Sequence, residues 1–490
     1  MKMPGLPILS TLKSRFQMSS AFSLHHLRGA AISKLTSSVS IIALVVATGM
    51  SIPRDANAQS LIDALVSTYL NNPSLLSERA SLRSSDEAVP QALSNWRPDV
   101  SVDASAGRSI IDNSLSTPNR HLRTPVTVGI SATQYLFRGG RTMADTSYAE
   151  ETVLAARADL LAAEQDILLE AITAYANVYR DKAVLNLNQN NEQVLKRQLE
   201  ATRDRFEVGE ITRTDVHQAE ARLADATADK IQSEGDYQVS RATFQNVVGE
   251  VASDDLVAPE IPKLGVDGKD ELIKFALEHN PDVVSARFTS KASKDNIDKV
   301  WGELLPTVDV TASHTRKFQS SSGQGRLDTS SVTLNLNVPI YQQGAVYSRL
   351  REAKQDAAKA RSDVDTAQRT AAEQAARSWE KVLTARARVD ALGTAINASV
   401  VALEGVEREA AVGSRTVLDV LDAEQELLDS RVTMLRAERD EIVVMYELLA
   451  SIGKLTARDL ELPVELYDPT AHYKEVREMW FGGKSQGGLD

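Results

Sequence analysis

The 490-residue chain contains no cysteine. That absence excludes a disulfide framework, a thiolate metal site, a catalytic thiol and an acyl anchor on an N-terminal cysteine. Basic charge is also short: 55 Lys and Arg stand against 67 Asp and Glu, a formal net charge of −12. With no basic patch to neutralise phosphates, nucleic acid is excluded as a partner. Beyond Gln59 no run approaches the roughly 20 apolar residues that a spanning helix needs, so any membrane span of the mature chain must be made of strands. Neither G-x-S-x-G nor H-E-x-x-H occurs, and no nucleophile stands at a credible spacing from a base. Gly139-Gly140 lacks the glycine spacing and lysine of a phosphate loop, and His217 with Glu220 makes only two isolated ligands. The expectation is a non-enzyme with no cofactor and no metal.

What is present begins with an export signal. Lys2, Lys13, Arg15, Arg28 and Lys34 precede an apolar core, Ile41-Ile42-Ala43-Leu44-Val45-Val46-Ala47, and Ala56-Asn57-Ala58 follows as an A-x-A cleavage site. Residues 1–58 read as a signal peptide and Gln59 as the first mature residue; the long leader leaves Met3 and Met18 open as starts. Cleavage removes six Lys and Arg and one Asp, moving the formal charge from −12 to −17.

The mature sequence then repeats itself. Asn72-Pro73 returns as Asn280-Pro281, and Pro98, Val100, Val102, Ala104 return as Pro306, Val308, Val310, Ala312, all at an offset of 208. Later pairs stand 204 apart: Phe137 with Tyr341, Gly140 with Gly344, Val208-Gly209 with Val412-Gly413, Asp215-Val216 with Asp419-Val420, Val248-Gly249 with Ile452-Gly453. A constant offset that steps once across a loop indicates duplication, because chance matches scatter. The repeats are placed at 59–266 and 267–454, followed by a segment over 455–490 whose tail, Gly482 to Asp490, reads as disordered.

Each repeat reads helix, strand, loop, strand, long helix, tight turn, helix. Alternation predicts strands at about 99–110 and 124–137, where Val100, Val102, Ala104 oppose Ser101, Asp103, Ser105 and Val126, Val128, Ile130 oppose Thr127, Gly129, Ser131. The same pattern predicts strands at about 307–317 and 329–340. The loops, Ile111 to Arg123 and Lys317 to Thr329, are polar. Tyr135, Phe137 and Tyr341, at strand ends, suit a membrane interface. After Gly140 and Gly344 the period turns helical, predicting hairpins at about 141–250 and 345–454. No Pro or Gly interrupts residues 141–206. A helix of that length spans roughly 100 Å, far beyond a hydrocarbon core of about 30 Å. Leu421, Leu428, Leu435, Ile442 and Leu449 form a seven-residue stripe suited to wall packing, and Ala357, Ala360, Ala367, Ala371, Ala372, Ala375 and Ala376 allow close helix approach.

Four strands cannot close a barrel, and lipid leaves no sheet edge unpaired, so several chains must share one sheet. Two chains give eight strands and a filled interior; three give twelve and an opening. The fold expected is a mixed α and β membrane protein, a trimeric 12-stranded β-barrel with four strands per chain, continued by a long α-helical coiled-coil barrel. Alternation alone fits a soluble sandwich equally well. Export, acidity and helix length favour the barrel.

Three stretches carry a family resemblance: Arg205-Phe206-Glu207-Val208-Gly209 with Thr214-Asp215-Val216; Val338-Pro339-Ile340-Tyr341-Gln342-Gln343-Gly344; and Val412-Gly413-Ser414-Arg415-Thr416-Val417-Leu418-Asp419-Val420-Leu421-Asp422-Ala423. They resemble the TolC family of outer-membrane channel-tunnels over nearly the whole mature chain. The resemblance implies a homotrimer in outer-membrane lipid extending into the periplasm, with an equatorial band near 251–266 and 455–475. It implies efflux of small toxic compounds, type I protein secretion, or both. Its partners would be a periplasmic adaptor protein, docked at the tip turns Val208, Gly209, Val412 and Gly413, and an inner-membrane pump of RND or ABC type. Gly140 and Gly344 become strand–helix junctions. Asp419 and Asp422 become a ring of aspartates at the periplasmic entrance, constrained by Arg415, with Thr214 and Asp215 as its partners on the neighbouring hairpin. Six carboxylates around one axis should raise one another's pKa and attract cations. At Ala410 the chain departs from the family's type member, which the resemblance says carries a Tyr there, so the closed state is expected to rest mainly on Arg415.

Plainer roles exist for some of these residues. Thr212-x-x-Asp215 and Thr416-x-x-Asp419 are helix-start capping pairs; Asp422 has no such account, since its counterpart is Gln218. The alternative function is a periplasmic coiled-coil adaptor or structural protein without a pore, which predicts one helical hairpin and no paired membrane strands.

Overall fold

The computed structural model describes residues 59–112, 120–262, 268–319 and 325–483. The expected signal and residues 484–490 of the tail lie outside them. The elements in chain order are α1 (Leu61–Asn71), α2 (Pro73–Asp86), α3 (Ala88–Ser94), β1 (Asp99–Ala106), β2 (Ser109–Asp112), β3 (Arg120–Arg123), β4 (Val126–Arg138), α4 (Arg141–Glu207) and α5 (Arg213–Val248). There follow α6 (Lys269–His279), α7 (Pro281–Trp301), a short 3-10 turn (Gly302–Leu304), β5 (Thr307–Phe318), β6 (Arg326–Asn337), α8 (Ala345–Ala411), α9 (Val417–Ser451) and α10 (Ala471–Val476).

Two asparagines explain how short helices join long ones. Asn72 Oδ1 accepts from the backbone N–H groups of Ser74 (2.9 Å) and Leu75 (3.3 Å), capping α2, while its Nδ2 donates to the Val247 carbonyl at the end of α5 (2.8 Å). Asn280 repeats the device, with Oδ1 taking Asp282 N (3.0 Å) and Val283 N (3.4 Å) and Nδ2 donating to Ser451 O at the end of α9 (3.1 Å). One side chain thus satisfies the orphan donors of one helix and an orphan acceptor of another, joining α5 to α2 and α9 to α7. Proline at the first helical position completes each start. Around these joints lies the largest core, with Leu75, Tyr175, Phe244, Leu168, Ile172, Leu272, Met445, Leu448 and Leu455 buried. Leu421, Leu428, Ile442 and Leu449 of the seven-residue stripe are buried and Leu435 half-buried.

Helix α4 packs against α5, α7 and α9, and α8 packs against α7 and α9. The two ends of this layer are therefore α5 and α8. The sheet has the same ends: its order is β1-β4-β5-β6, all antiparallel, leaving outer edges on β1, which follows α3, and β6, which leads to α8.

Register assigns the faces. Val100 pairs with Ala132, Val102 with Ile130 and Ala104 with Val128; Val308 pairs with Leu336, Val310 with Leu334 and Ala312 with Val332. Paired residues point to the same side, so one face is apolar along β1, most of β4 and the helical half of β5 and β6, and it is exposed: Val102 by 69% and Val332 by 77%. Gln134 interrupts it, and towards the loops the same face carries His314 with Ser330 and Arg316 with Asp328. The other face carries hydroxyls, with Ser101 and Ser131 Oγ atoms 2.9 Å apart and Ser313 and Ser331 Oγ atoms 3.0 Å apart. A bulge between Tyr135 and Phe137 shifts the β4–β5 register at the foot of the sheet.

The strand limits differ from the sequence reading. β6 runs from Arg326, because Arg316 and Asp328 pair across the ladder (2.8 Å) and carry it into the expected loop. It stops at Asn337, because Pro339 has no N–H for a further rung. Part of the first loop is a separate two-stranded ribbon of β2 and β3.

Candidate functional site

Both hairpin turns close in the same way. Gly209 N donates to Phe206 O (2.9 Å) and Glu210 N to Arg205 O (3.0 Å); Gly413 N donates to Ala410 O (3.1 Å) and Ser414 N to Glu409 O (2.9 Å). This double closure needs a left-handed residue, and Gly209 and Gly413 supply φ of 86° and 79°. Val208 and Val412 beside them stand 73% and 81% exposed, an uncovered apolar point on each tip. At the far end of the long helices, Gly140 and Gly344 are the N-caps of α4 and α8, also left-handed.

Capping boxes start the return helices. Thr212 N and Oγ1 both donate to Asp215 Oδ2 at 2.8 Å, and Asp215 N returns to Thr212 Oγ1 at 3.4 Å. Thr416 N and Oγ1 donate to Asp419 Oδ2 at 2.8 and 2.7 Å, with Asp419 N returning at 3.3 Å. These hydrogen bonds hold the Asp419 carboxyl below the ordinary aspartate range, with Arg415 assisting. Within one chain these donors to the charged form set the direction; the repulsion expected of six carboxylates belongs to an assembly of three chains.

The structure brings Arg415 to Glu409 (2.9 Å) and within 4.0 Å of Asp419, stitching the end of α8 to the start of α9. Among the described residues no bond joins Arg415 to Thr214 or Asp215 of the same chain. Asp422 sits apart from this stitch and is held by Arg222 of α5. Near the tips that is the one ion pair, among the described residues, that ties the first hairpin to the second. Behind it Leu195, Leu199, Val216, Ala219, Val417 and Leu421 form a small apolar core between the hairpins. Two turns up from the cap, the Glu424 Oε2 is buried without a hydrogen-bond partner. Burial first, then the charge of Glu407, push the Glu424 carboxyl from 4.5 up to about 7.

Sequence reasoning missed Arg222 and Glu409. Glu409 carries no local signal. Arg222 had one: Asp422 was the carboxylate no cap explained, and Arg222 stands one turn beyond its counterpart Gln218.

Residues 64–250 and 272–454 match the family model described as outer membrane efflux protein. The chain belongs to the outer membrane efflux protein family. The efflux protein BepC of Brucella suis biovar 1 is 34% identical over 459 residues, covering 94% of this chain and 98% of that protein. The outer membrane protein TolC of Vibrio cholerae is 26% identical over 415 residues, 82% of this chain and 92% of TolC. The alkaline protease secretion protein AprF of Pseudomonas aeruginosa is 24% identical over 306 residues, 61% of this chain and 63% of AprF. Among solved structures, the outer membrane channel CmeC of Campylobacter jejuni superposes with a TM-score of 0.73 at 14% identity, covering 85% of this chain and 89% of CmeC.

As a TolC-type outer membrane efflux protein the chain resides in the outer membrane and extends into the periplasm. In this efflux protein Ala410 is half-buried, and its carbonyl is taken by Gly413 N. Arg222 and Asp422 supply a bond across the hairpins.

Proposed function

We propose that three copies of this chain form one duct, a 12-stranded barrel in the outer membrane continued by a helical tunnel across the periplasm, through which small toxic compounds, secreted proteins or both leave the cell. It is a conduit and not an enzyme. The observation that carries the reading is a four-stranded sheet with one exposed face that is apolar except for Gln134 and the loop end of β5 and β6, one hydroxyl face and two open edges. Lipid tolerates such edges only when they are paired, and an apolar exterior around a polar interior is the pattern of a membrane barrel.

Ring closure follows from matching ends. β6 and α8 lie at one end of the chain's two layers and β1 and α5 at the other. Joining unlike ends gives a head-to-tail interface, which makes a ring when the rotation between neighbours closes, here after three chains. Helix α8 contains an 18-residue stretch apolar enough to cross a membrane, contrary to the reading of the sequence alone, and none of that stretch is buried in the chain. It belongs to a 67-residue helix whose other side packs on α7 and α9, so its free face serves as the seam against the next chain's α5, where Ile231 and Val239 are exposed. The near-identical hairpins and the two family matches support internal duplication of the wall.

At the periplasmic mouth, Asp419 and Asp422 of three chains form the acidic ring. Arg415, with Thr214 and Asp215 of the neighbouring hairpin, constrains it, and Arg222 is a further latch. The exposed valines of the tips receive a periplasmic adaptor, which recruits an inner-membrane pump of RND or ABC type. Two hairpins and paired strands count against a pore-free adaptor. AprF, by its name, supports a share in protein secretion. Deleting the gene should raise sensitivity to several unrelated toxic compounds or empty the medium of a secreted protein, and purified protein should conduct in planar bilayers; an unchanged profile with no conductance would refute the reading.

A further inference from the structure

The last described stretch of the chain ends in an exposed aromatic pair held at the foot of the sheet. It is pinned all along its length. α10 lies against α2, and His472 Nδ1 lies 3.3 Å from the buried Asp86 carboxylate. Tyr473 packs on the small core of Val89, Ala92, Ala149 and Val153 beneath the Arg157 guanidinium. Arg477 pairs with Glu150 at 2.8 Å. Arg97, two residues ahead of β1, then donates to the Met479 carbonyl at 2.6 Å and lies 4.8 Å from the centre of the Trp480 ring.

All this order delivers Trp480 and Phe481 to a place where they are 59% and 89% exposed. Rings fixed in water gain nothing from burial, so a pinned apolar pair marks a surface that something else covers. Their neighbourhood identifies the cover. Arg97 follows Trp96, itself half exposed, and Trp96 lines a shallow apolar hollow of about 170 Å³ with Tyr135, Leu136, Phe137 and Met143. These residues close the apolar face of β1 and β4 at its helical end, where a barrel carries its aromatic girdle. Indole and phenyl rings flanked by arginine suit the boundary of headgroups and acyl chains.

We propose that Trp480 and Phe481 are a membrane-interface anchor, inserted in the inner leaflet of the outer membrane beside the foot of β1. The segment therefore moors the helical part of the chain to lipid, in a protein without a cysteine to carry an acyl chain. The proposal rests on the barrel reading, and the test separates the two. Because the chain has no cysteine, Phe481→Cys and Ile130→Cys each create one labelling site in the full-length protein. Nitroxide-labelled protein in phosphatidylethanolamine–phosphatidylglycerol vesicles is relaxed either by oxygen, which concentrates in lipid, or by a nickel chelate, which stays in water. Oxygen should win at both positions. In the unlabelled protein, quenching by acyl-brominated lipid should fall in Trp480→Phe, with Trp96 supplying the quenching that remains; quenching unchanged by Trp480→Phe would count against the anchor. Nickel winning at 481 but oxygen at 130 would overturn the anchor and leave the barrel. Nickel winning at both would remove both. Neither relaxant reaching 481 would mean cover by a neighbouring subunit and would also overturn the anchor.

Discussion

Replacing Asn280 by alanine should loosen the joint between α9 and α7 without touching either hairpin tip. The residue is buried, and its amide makes three bonds across two helix ends. Loss of the N-cap costs about 1 kcal/mol. The Ser451 carbonyl, left buried without its donor, adds about 1–3 kcal/mol, for a total of roughly 2–4 kcal/mol in the local opening free energy. At about 1.4 kcal/mol per decade, hydrogen exchange at the first turn of α7 and the last turn of α9 should accelerate on the order of 30- to 1,000-fold. Peptide-resolved mass spectrometry reads both places separately. Asn280→Asp keeps the cap acceptor and loses the donor, so it should expose the end of α9 while sparing the start of α7. Unchanged exchange at both sites in Asn280→Ala, or equal loss in Asn280→Asp, would refute the double-cap argument.

Other outcomes follow from the tips. Glu424 is raised to about 7 against an unfolded value of 4.5; a carboxyl raised on folding costs nothing below pH 4.5, and its full cost appears above pH 7. Halved for its remaining water contact, that cost is about 1–2 kcal/mol, so Glu424→Gln should stabilise the protein at pH 8 and leave it unchanged at pH 4.5, as read by urea denaturation. Arg222→Ala should raise resting conductance in planar bilayers, and so should Arg415→Ala; a silent Arg222→Ala would show that the cross-hairpin ion pair is only a surface contact. Asp419→Ala with Asp422→Ala should relieve block by multivalent cations applied from the periplasmic side, and persistent block would move the ring elsewhere.

The features legible in the sequence were those written locally. Alternation at Val100, Val102 and Ala104 marked a strand because side chains there take turns between faces, and the Val-Gly pairs stood out as a repeated sign that the family resemblance placed at the tips, where the left-handed Gly209 and Gly413 close both turns. Asn-Pro was legible as a repeated sign, though its function as a weld was not, because the acceptors at Val247 and Ser451 lie more than 170 residues away. Strand ends were misplaced where a charge pair, Arg316 with Asp328, extends the ladder through residues that look like loop. The Arg222–Asp422 bond depends on how one hairpin docks on the other, which no spacing encodes. Asp419 illustrates the opposite case: its capping pair was plain in the sequence, and within the chain its near hydrogen bonds hold the carboxyl low.

The central claim, that open strand edges of separate chains meet, can be tested by cysteine pairs across them. Neighbouring antiparallel strands place Cα atoms about 4.5–5.5 Å apart, within reach of a disulfide, and the native chain contributes no competing thiol. Pairing cysteines at Val100, Val102 or Ala104 of β1 with cysteines at Val332, Leu334 or Leu336 of β6 should give, at the matching register, a non-reducing ladder that stops at three chains. A ladder that runs past three, or no intermolecular bond at any pair, would contradict the account.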